Sequence, residues 1–273
     1  MSCDLLTEDG VNWWLVLALI AAWPITKWVL TVAYEVVKHL IPPADLLKRY
    51  NSSQGKTWAV VTGATDGIGL GFCEVLVKLG FNLVLISRNP DKLSMRAEEL
   101  EIIARASGKG AELKTIAFNF KDSSDPVKYA KLIDELKTLD IGLFVNNVGT
   151  SDVRRYHTYT HQEIVDFINT NCVGMAALSA DIIGLMKDRK TRSALINVSS
   201  YMEEKALPYL GLYSATKAFN KNLTEGLMFE YPNIDVLCLK PLFVESNLSR
   251  QKKGFGIPDR RECAEHTLKE LRW

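Results

Sequence analysis

The sequence predicts an α/β fold built on a doubly wound parallel sheet, with an apolar helix ahead of it. Three observations carry this expectation. Short β-branched runs without alternation, such as WAVVT at 58–62, read as strands buried on both faces. These runs alternate with segments of helical period, as in successive βαβ units. Upstream of them, residues 13–26 carry no charge.

The apolar segment lies within VNWWLVLALIAAWPITKWVLTVAYEVV, residues 11–37. Its apolar character runs to Ala33, roughly 20 residues or about 30 Å as a helix. Lys27 sits toward one end, where its ammonium can snorkel to water. Trp13, Trp14, Trp28 and Tyr34 suit a membrane–water interface, and Pro24 is tolerated in a membrane span while kinking it. A signal peptide starts basic, whereas Asp4, Glu8 and Asp9 precede this segment. A buried amphipathic helix would show polar residues at 3.6 spacing, and 13–25 shows none. The expectation is a membrane anchor, as a single span or a re-entrant hairpin. Basic residues follow it (Lys38, Lys48, Arg49, Lys56), which places the rest of the chain on the cytosolic side. Ile41-Pro42-Pro43 ends the run. The domain reading is therefore 1–43 anchor, 44–56 polar linker and 57–273 α/β domain.

Six strands are expected, at 58–62, 81–87, 112–118, 141–145, 193–198 and 234–239. Helical stretches fall between them, with a charged one at 91–106, a long one at 161–187 and another at 211–230. The 211–230 helix is expected to bury Leu212, Phe219, Leu223 and Leu227. No seventh strand is read after the sixth, so the expectation is either a shortened form or a divergent one with a bare sheet edge. Of the 273 residues 47% are apolar, enough for a full core. Lys+Arg is 33 against Asp+Glu 32, a balance that argues against nucleic-acid binding. The five scattered cysteines form no metal-ligand spacing and read as reduced thiols.

Ligands of such sheets bind at the carboxyl ends of the strands. After the first strand comes TGATDGIG, with Gly63, Gly67 and Gly69. These glycines permit a tight turn, close approach of a pyrophosphate and close helix packing, and the helix amides then face the phosphates. The second strand ends in Arg88, where an Asp or Glu would grip a ribose 2′-hydroxyl. A guanidinium instead welcomes a 2′-phosphate, which points to NADP(H). Asn119 and Phe120, at the end of the third strand, are placed to touch adenine. In YSATK, Tyr213 and Lys217 are one helical turn apart. Such a pair is either an ordinary surface pair or a phenol acidified by an ammonium for proton transfer.

The combination of TGATDGIG, NNVG at 146–149, Asn171, Ser200 and YSATK resembles the short-chain dehydrogenase/reductase family over about residues 57–250. The resemblance implies a Rossmann-type fold and a cofactor site at Gly63, Gly67, Ile68, Gly69, Arg88, Asn119, Phe120, Asn147, Tyr213, Lys217 and Val244. Val244 and Ser246 would line the nicotinamide. The catalytic set it implies is Asn171, Ser200, Tyr213 and Lys217. Tyr213 would give a proton to a carbonyl oxygen that Ser200 holds. Asn171 would kink a helix and order a relay water. Spacing favours Ser200 over Ser199.

The anchor, YSATKAF and KPLFVES narrow the resemblance to the branch of very-long-chain 3-oxoacyl-CoA reductases and 17β-hydroxysteroid dehydrogenases. That branch implies NADPH-dependent reduction of a lipid-like carbonyl substrate, acyl-CoA or steroid, at the endoplasmic reticulum membrane. A homodimer is one expectation for the assembly. Arg250, Lys252 and Lys253 are candidates for CoA phosphates or a solvated loop. Glu203, Glu204 and Lys205 are unusually polar for a segment that often lines an apolar pocket, unless they point outward. The other readings are a membrane-anchored NADPH-binding scaffold with little turnover, and a soluble reductase.

Overall fold

The computed structural model describes residues 12–40, 45–51, 57–246, 248–249, 251–254 and 256–271. It separates into two units, residues 1–43 and 44–273. The first unit is described through α1 (Trp13–Leu40), one helix of 28 residues and about 42 Å that contains Pro24. Its Trp13–Tyr34 part is long and apolar enough to cross a bilayer, and protein buries none of it. The Asn12 side chain accepts from the Leu15 amide and caps the helix start.

In the second unit, α2 (Leu46–Tyr50) starts at Asp45, whose carboxylate accepts from the Lys48 amide. Then follow β1 (Trp58–Thr62), α3 (Gly67–Leu79), β2 (Asn82–Ser87), α4 (Pro90–Ser107), β3 (Leu113–Ala117) and α5 (Pro126–Leu136). Next are β4 (Ile141–Asn146), α6 (His161–Ile168), α7 (Gly174–Met186), β5 (Ser193–Val198), α8 (Gly211–Glu230), β6 (Ile234–Leu239) and α9 (Arg260–Glu270). The strands are all parallel, in the order β3-β2-β1-β4-β5-β6. Among the described residues β6 is an edge, and its outer positions are half-buried.

Alternation along β1 divides the core. Ala59 and Val61 face one side with Phe72 and Leu76 of α3 and Leu268 of α9. Val60 faces the other side with Leu132 of α5 and Ile182 of α7. Gly71 allows α9 to lie against α3, since a β-carbon there would fall 2.2 Å from the Arg260 oxygen.

The segment read as a linker is in part built into the domain. Tyr50 is fully buried, and its hydroxyl donates to Asp235 at 2.8 Å and to the Leu271 carbonyl at 3.2 Å. Arg49 pairs with the same Asp235 carboxylate at 2.9 Å. Residues 52–56, the remainder of that stretch, lie outside the described residues.

Candidate active site

The reversal of strand order lies between β1 and β4, and the carboxyl ends around it enclose a cleft of about 600 Å³. Its walls include Gly63, Gly67, Arg88, Asn147, Gly149 and Ser246. Gly63 and Gly67 adopt left-handed φ values of 65° and 51°. A β-carbon on Gly67 would come within 2.7 Å of Ser246 Cβ, so the close approach there demands glycine. Gly69 does not reach the cleft. A β-carbon on it would lie 2.4 Å from the Gly63 oxygen, so its part is to let α3 pack under the loop. The N-cap Asp66 gives α3 no side-chain cap, which leaves its first-turn amides for an anion.

The loop is braced from β2 and α4. Thr65 Oγ1 and Ser87 Oγ are 3.0 Å apart, and Arg96 Nε donates to the Thr65 carbonyl at 3.3 Å. Arg88 is exposed at the cleft wall and forms no ion pair among the described residues. Asn147 donates from Nδ2 to the Thr62 carbonyl at 2.9 Å, joining β4 to β1. Ile68 and Asn119 line the cleft, and Asn119 also caps the turn after β3 by accepting from the Lys121 amide. Phe120 borders the cleft, but its ring is buried edge-on to Phe118 at 5.1 Å between centroids. Val244 does not line the cleft. It is buried, its carbonyl accepts from Ser249, and Ser246 reaches the cleft instead. The left-handed glycines, uncapped amides and unpaired guanidinium fit a phosphorylated dinucleotide.

The expected long helix at 161–187 is broken by one π-type turn over Asn169–Val173, which carries Asn171 between α6 and α7. The Asn171 side-chain amide makes three hydrogen bonds. Its Oδ1 accepts from the Thr150 amide at 2.8 Å, and Nδ2 donates to the Thr150 carbonyl at 2.9 Å and Thr216 Oγ1 at 3.1 Å. The side chain therefore braces the segment following Gly149. The sequence held no signal for the Thr150 clamp.

Lys217 is buried on α8, and its Nζ donates to the Val198 carbonyl at 2.8 Å. It lies 5.8 Å from the Tyr213 ring centre, and 3.4 Å from where a β-carbon on Gly149 would sit. Burial depresses Lys217 to about 8, against the opposing influence of Cys172, Cys238 and Glu203. The expected acidified phenol is not what the structure shows. Burial raises the Tyr213 hydroxyl above its ordinary value, and the neighbouring Ser200 hydroxyl pulls it only partly back. The Lys217 nitrogen lies over the ring, and burial decides the direction for the resting phenol.

Ser200 lies two residues beyond β5 and is buried, its Oγ accepting from the Met202 amide at 3.2 Å. Ser199 has its hydroxyl engaged by Glu203 at 2.5 Å and the Lys217 carbonyl at 2.8 Å. The Glu203 side chain is fully buried and pairs with Lys240 at 2.7 Å, so this acidic residue points inward. Nothing local in the sequence connected Glu203 with Lys240. The buried face of α8 also differs from expectation. It is Ser214, Thr216, Lys217, Asn220 and Thr224, while Leu223 and Leu227 are half-buried and Phe219 is 44% exposed. The helix spends its inner face on the site instead of on apolar packing. Lys253 is tied to Asp259 and Glu262 at the start of α9 at 2.9 and 2.6 Å, which removes it from the expected phosphate set. Arg250 lies outside the described residues.

The short chain dehydrogenase family model matches residues 57–254. The chain belongs to that family. A very-long-chain 3-oxoacyl-CoA reductase of Mycosarcoma maydis is 36% identical over 240 residues, spanning 85% of this chain and 67% of the relative. The human inactive hydroxysteroid dehydrogenase-like protein 1 is 32% identical over 272 residues, spanning 93% of this chain and 78% of the relative. A short-chain dehydrogenase of Sphingobium yanoikuyae, solved in complex with NADPH, superposes with a TM-score of 0.67 at 22% identity. It covers 77% of this chain and 82% of its own, and shows the shared fold. The relatives of this short-chain dehydrogenase thus include one named a 3-oxoacyl-CoA reductase and one named inactive.

Proposed function

We propose that this protein is an NADPH-dependent reductase of a 3-oxo group on a long-chain acyl-CoA, held at the endoplasmic reticulum membrane by α1 with its domain in the cytosol. The observation that carries the reading is the grouping of Tyr213 with Ser200 and Lys217, the last of which lies next to Gly149 in the wall of the dinucleotide cleft. The matching reductase relatives favour the acyl-CoA over a 17-ketosteroid.

Gly63, Gly67, Ile68, Asn119 and Asn147 would hold the cofactor, and Arg88 would take its 2′-phosphate. When bound, NADPH supplies the hydride. The Ser200 hydroxyl donates a hydrogen bond to the substrate oxygen. Tyr213, whose phenol burial keeps protonated, delivers its proton to that oxygen, so that ketone plus hydride plus proton gives the alcohol. Lys217 holds positive charge beneath the ring and steadies the phenolate that remains. Asn171 fixes Thr150 and with it the wall at Gly149.

The inactive relative supports a second reading, a membrane-anchored NADPH-binding scaffold. The full chain in detergent, given NADPH with a panel of 3-oxoacyl-CoA and ketosteroid substrates, separates the two. Loss of reduced-nicotinamide absorbance with the acyl-CoA, abolished by Tyr213→Phe, is the expected result. Tight NADPH binding with no turnover across the panel establishes the scaffold instead.

A further inference from the structure

Lys253 is occupied by carboxylates, Lys121 by Asp166 and Lys240 by Glu203, while Lys252 is exposed and does not line the cleft. A second hollow, of about 440 Å³, adjoins the first. Arg154 and Tyr159 line both and form the partition between them. Arg154 is fixed there by Asp152 at 2.8 Å and Glu163 at 2.9 Å, with its guanidinium 3.9 Å from the Tyr159 ring centre. The far side of the partition carries Arg155 and His157, neither of which forms an ion pair among the described residues.

The rest of the hollow is aromatic and apolar. Tyr156 is 63% exposed and Tyr209 55%, ring surface that water wets unless a ligand covers it. Tyr209 is the one non-glycine residue with a left-handed φ, 67°, among the described residues. Its carbonyl accepts from the Arg154 amide at 3.2 Å, which pins the loop after Ser200 to the loop after Gly149. A strained residue held in place by a neighbouring loop is an organised wall rather than a slack one. Gly211 and Leu212 close the hollow, and Tyr213 follows directly on α8.

A free guanidinium and an imidazole beside exposed phenol rings match one chemistry, a flat base that carries phosphate. We propose that this hollow binds the adenine-nucleotide end of the acyl-CoA, with Arg155 and His157 on its phosphates and Tyr156 and Tyr209 against its base. The proposal rests on the reading above that the substrate is a CoA thioester.

The test compares a 3-oxoacyl-CoA with the same acyl group on N-acetylcysteamine, which lacks the nucleotide, using the full chain in detergent and saturating NADPH. The wild type is expected to prefer the CoA thioester in kcat/KM. The double variant Arg155→Ala/His157→Ala is expected to shrink that preference by on the order of tenfold or more, as loss of charge-assisted contacts implies. Equal kcat/KM for the two thioesters, or a preference the variant keeps, overturns the subsite. If neither thioester is reduced, the reductase reading has failed on its own. Calorimetry with adenosine 3′,5′-bisphosphate in the presence of NADPH then decides the hollow alone. Binding that the double variant loses sustains a nucleotide site, whereas no binding, or binding the variant retains, overturns it.

Discussion

The ammonium of Lys217 lies 2.8 Å from the carbonyl oxygen of Val198, the last residue of β5. One turn back on α8, the Tyr213 ring centre is 5.8 Å from the same nitrogen. The end of a central strand thus fixes the cation, and the phenol lies over it. This arrangement holds the two groups together without requiring that one acidify the other. Charge developing on the phenol during proton transfer meets a cation already in place, at no cost of reorganisation.

Lys217 should therefore titrate far below other lysines. Burial lowers it to about 8, whereas an exposed lysine titrates near about 10.4. The unfolded chain keeps this proton longer, so between these values stability gains with rising pH instead of falling. Carbon-13 NMR of isotopically labelled lysine, assigned with Lys217→Met, reads the titration directly. A Lys217 signal that first moves above pH 10 would contradict the described burial.

The sequence made the strands legible because both-face burial removes alternation, and every strand fell within a residue or so of its expected limits. The glycine loop and YSATK were legible because their chemistry needs fixed residue types at fixed spacing. The inner face of α8 was not. Apolar periodicity pointed to Phe219 and Leu223, yet the helix turns Asn220 and Thr224 inward, where Thr224 meets Asn197 of β5 at 3.0 Å. A polar inner face leaves no apolar stripe to read. Glu203 and Lys240 were equally hidden, because an ion pair across 37 positions has no local signature. Tyr50 was read as linker because α2 is too short to show a period.

The Glu203–Lys240 pair should respond asymmetrically to mutation. Lys240→Met leaves a buried carboxylate with only the Ser199 hydroxyl, an outcome that costs about 1–3 kcal/mol with Lys240 partly solvated. Glu203→Gln leaves Lys240 near Glu225, at 3.7 Å and half in water, and should cost less. The double variant should recover much of the Lys240→Met loss. Urea midpoints for the four proteins measure this coupling. A Lys240→Met protein no weaker than Glu203→Gln would show that the carboxylate is not sealed as described.

Acid should weaken the domain through two buried carboxyls. Glu74 of α3 pairs with Arg260 at 2.7 Å and with Arg261, both on α9. Asp235 of β6 takes Arg49, Arg192 and the Tyr50 hydroxyl. Burial pushes both carboxyls up, but the guanidiniums outweigh it, so each folded value lies below the ordinary one of 4.5 for Glu or 3.8 for Asp. As pH falls the unfolded chain takes up these protons first. The stabilisation is then complete above the ordinary values and is lost as pH drops through the folded ones. Glu74→Gln should lower stability at pH 7 by about 1–3 kcal/mol, because two guanidiniums lose their carboxylate. It should also flatten the fall in urea midpoint below about pH 4.5, since the group that titrated is gone. A variant whose acid profile runs parallel to wild type would place the acid sensitivity elsewhere and remove Glu74 as the tie between α3 and α9.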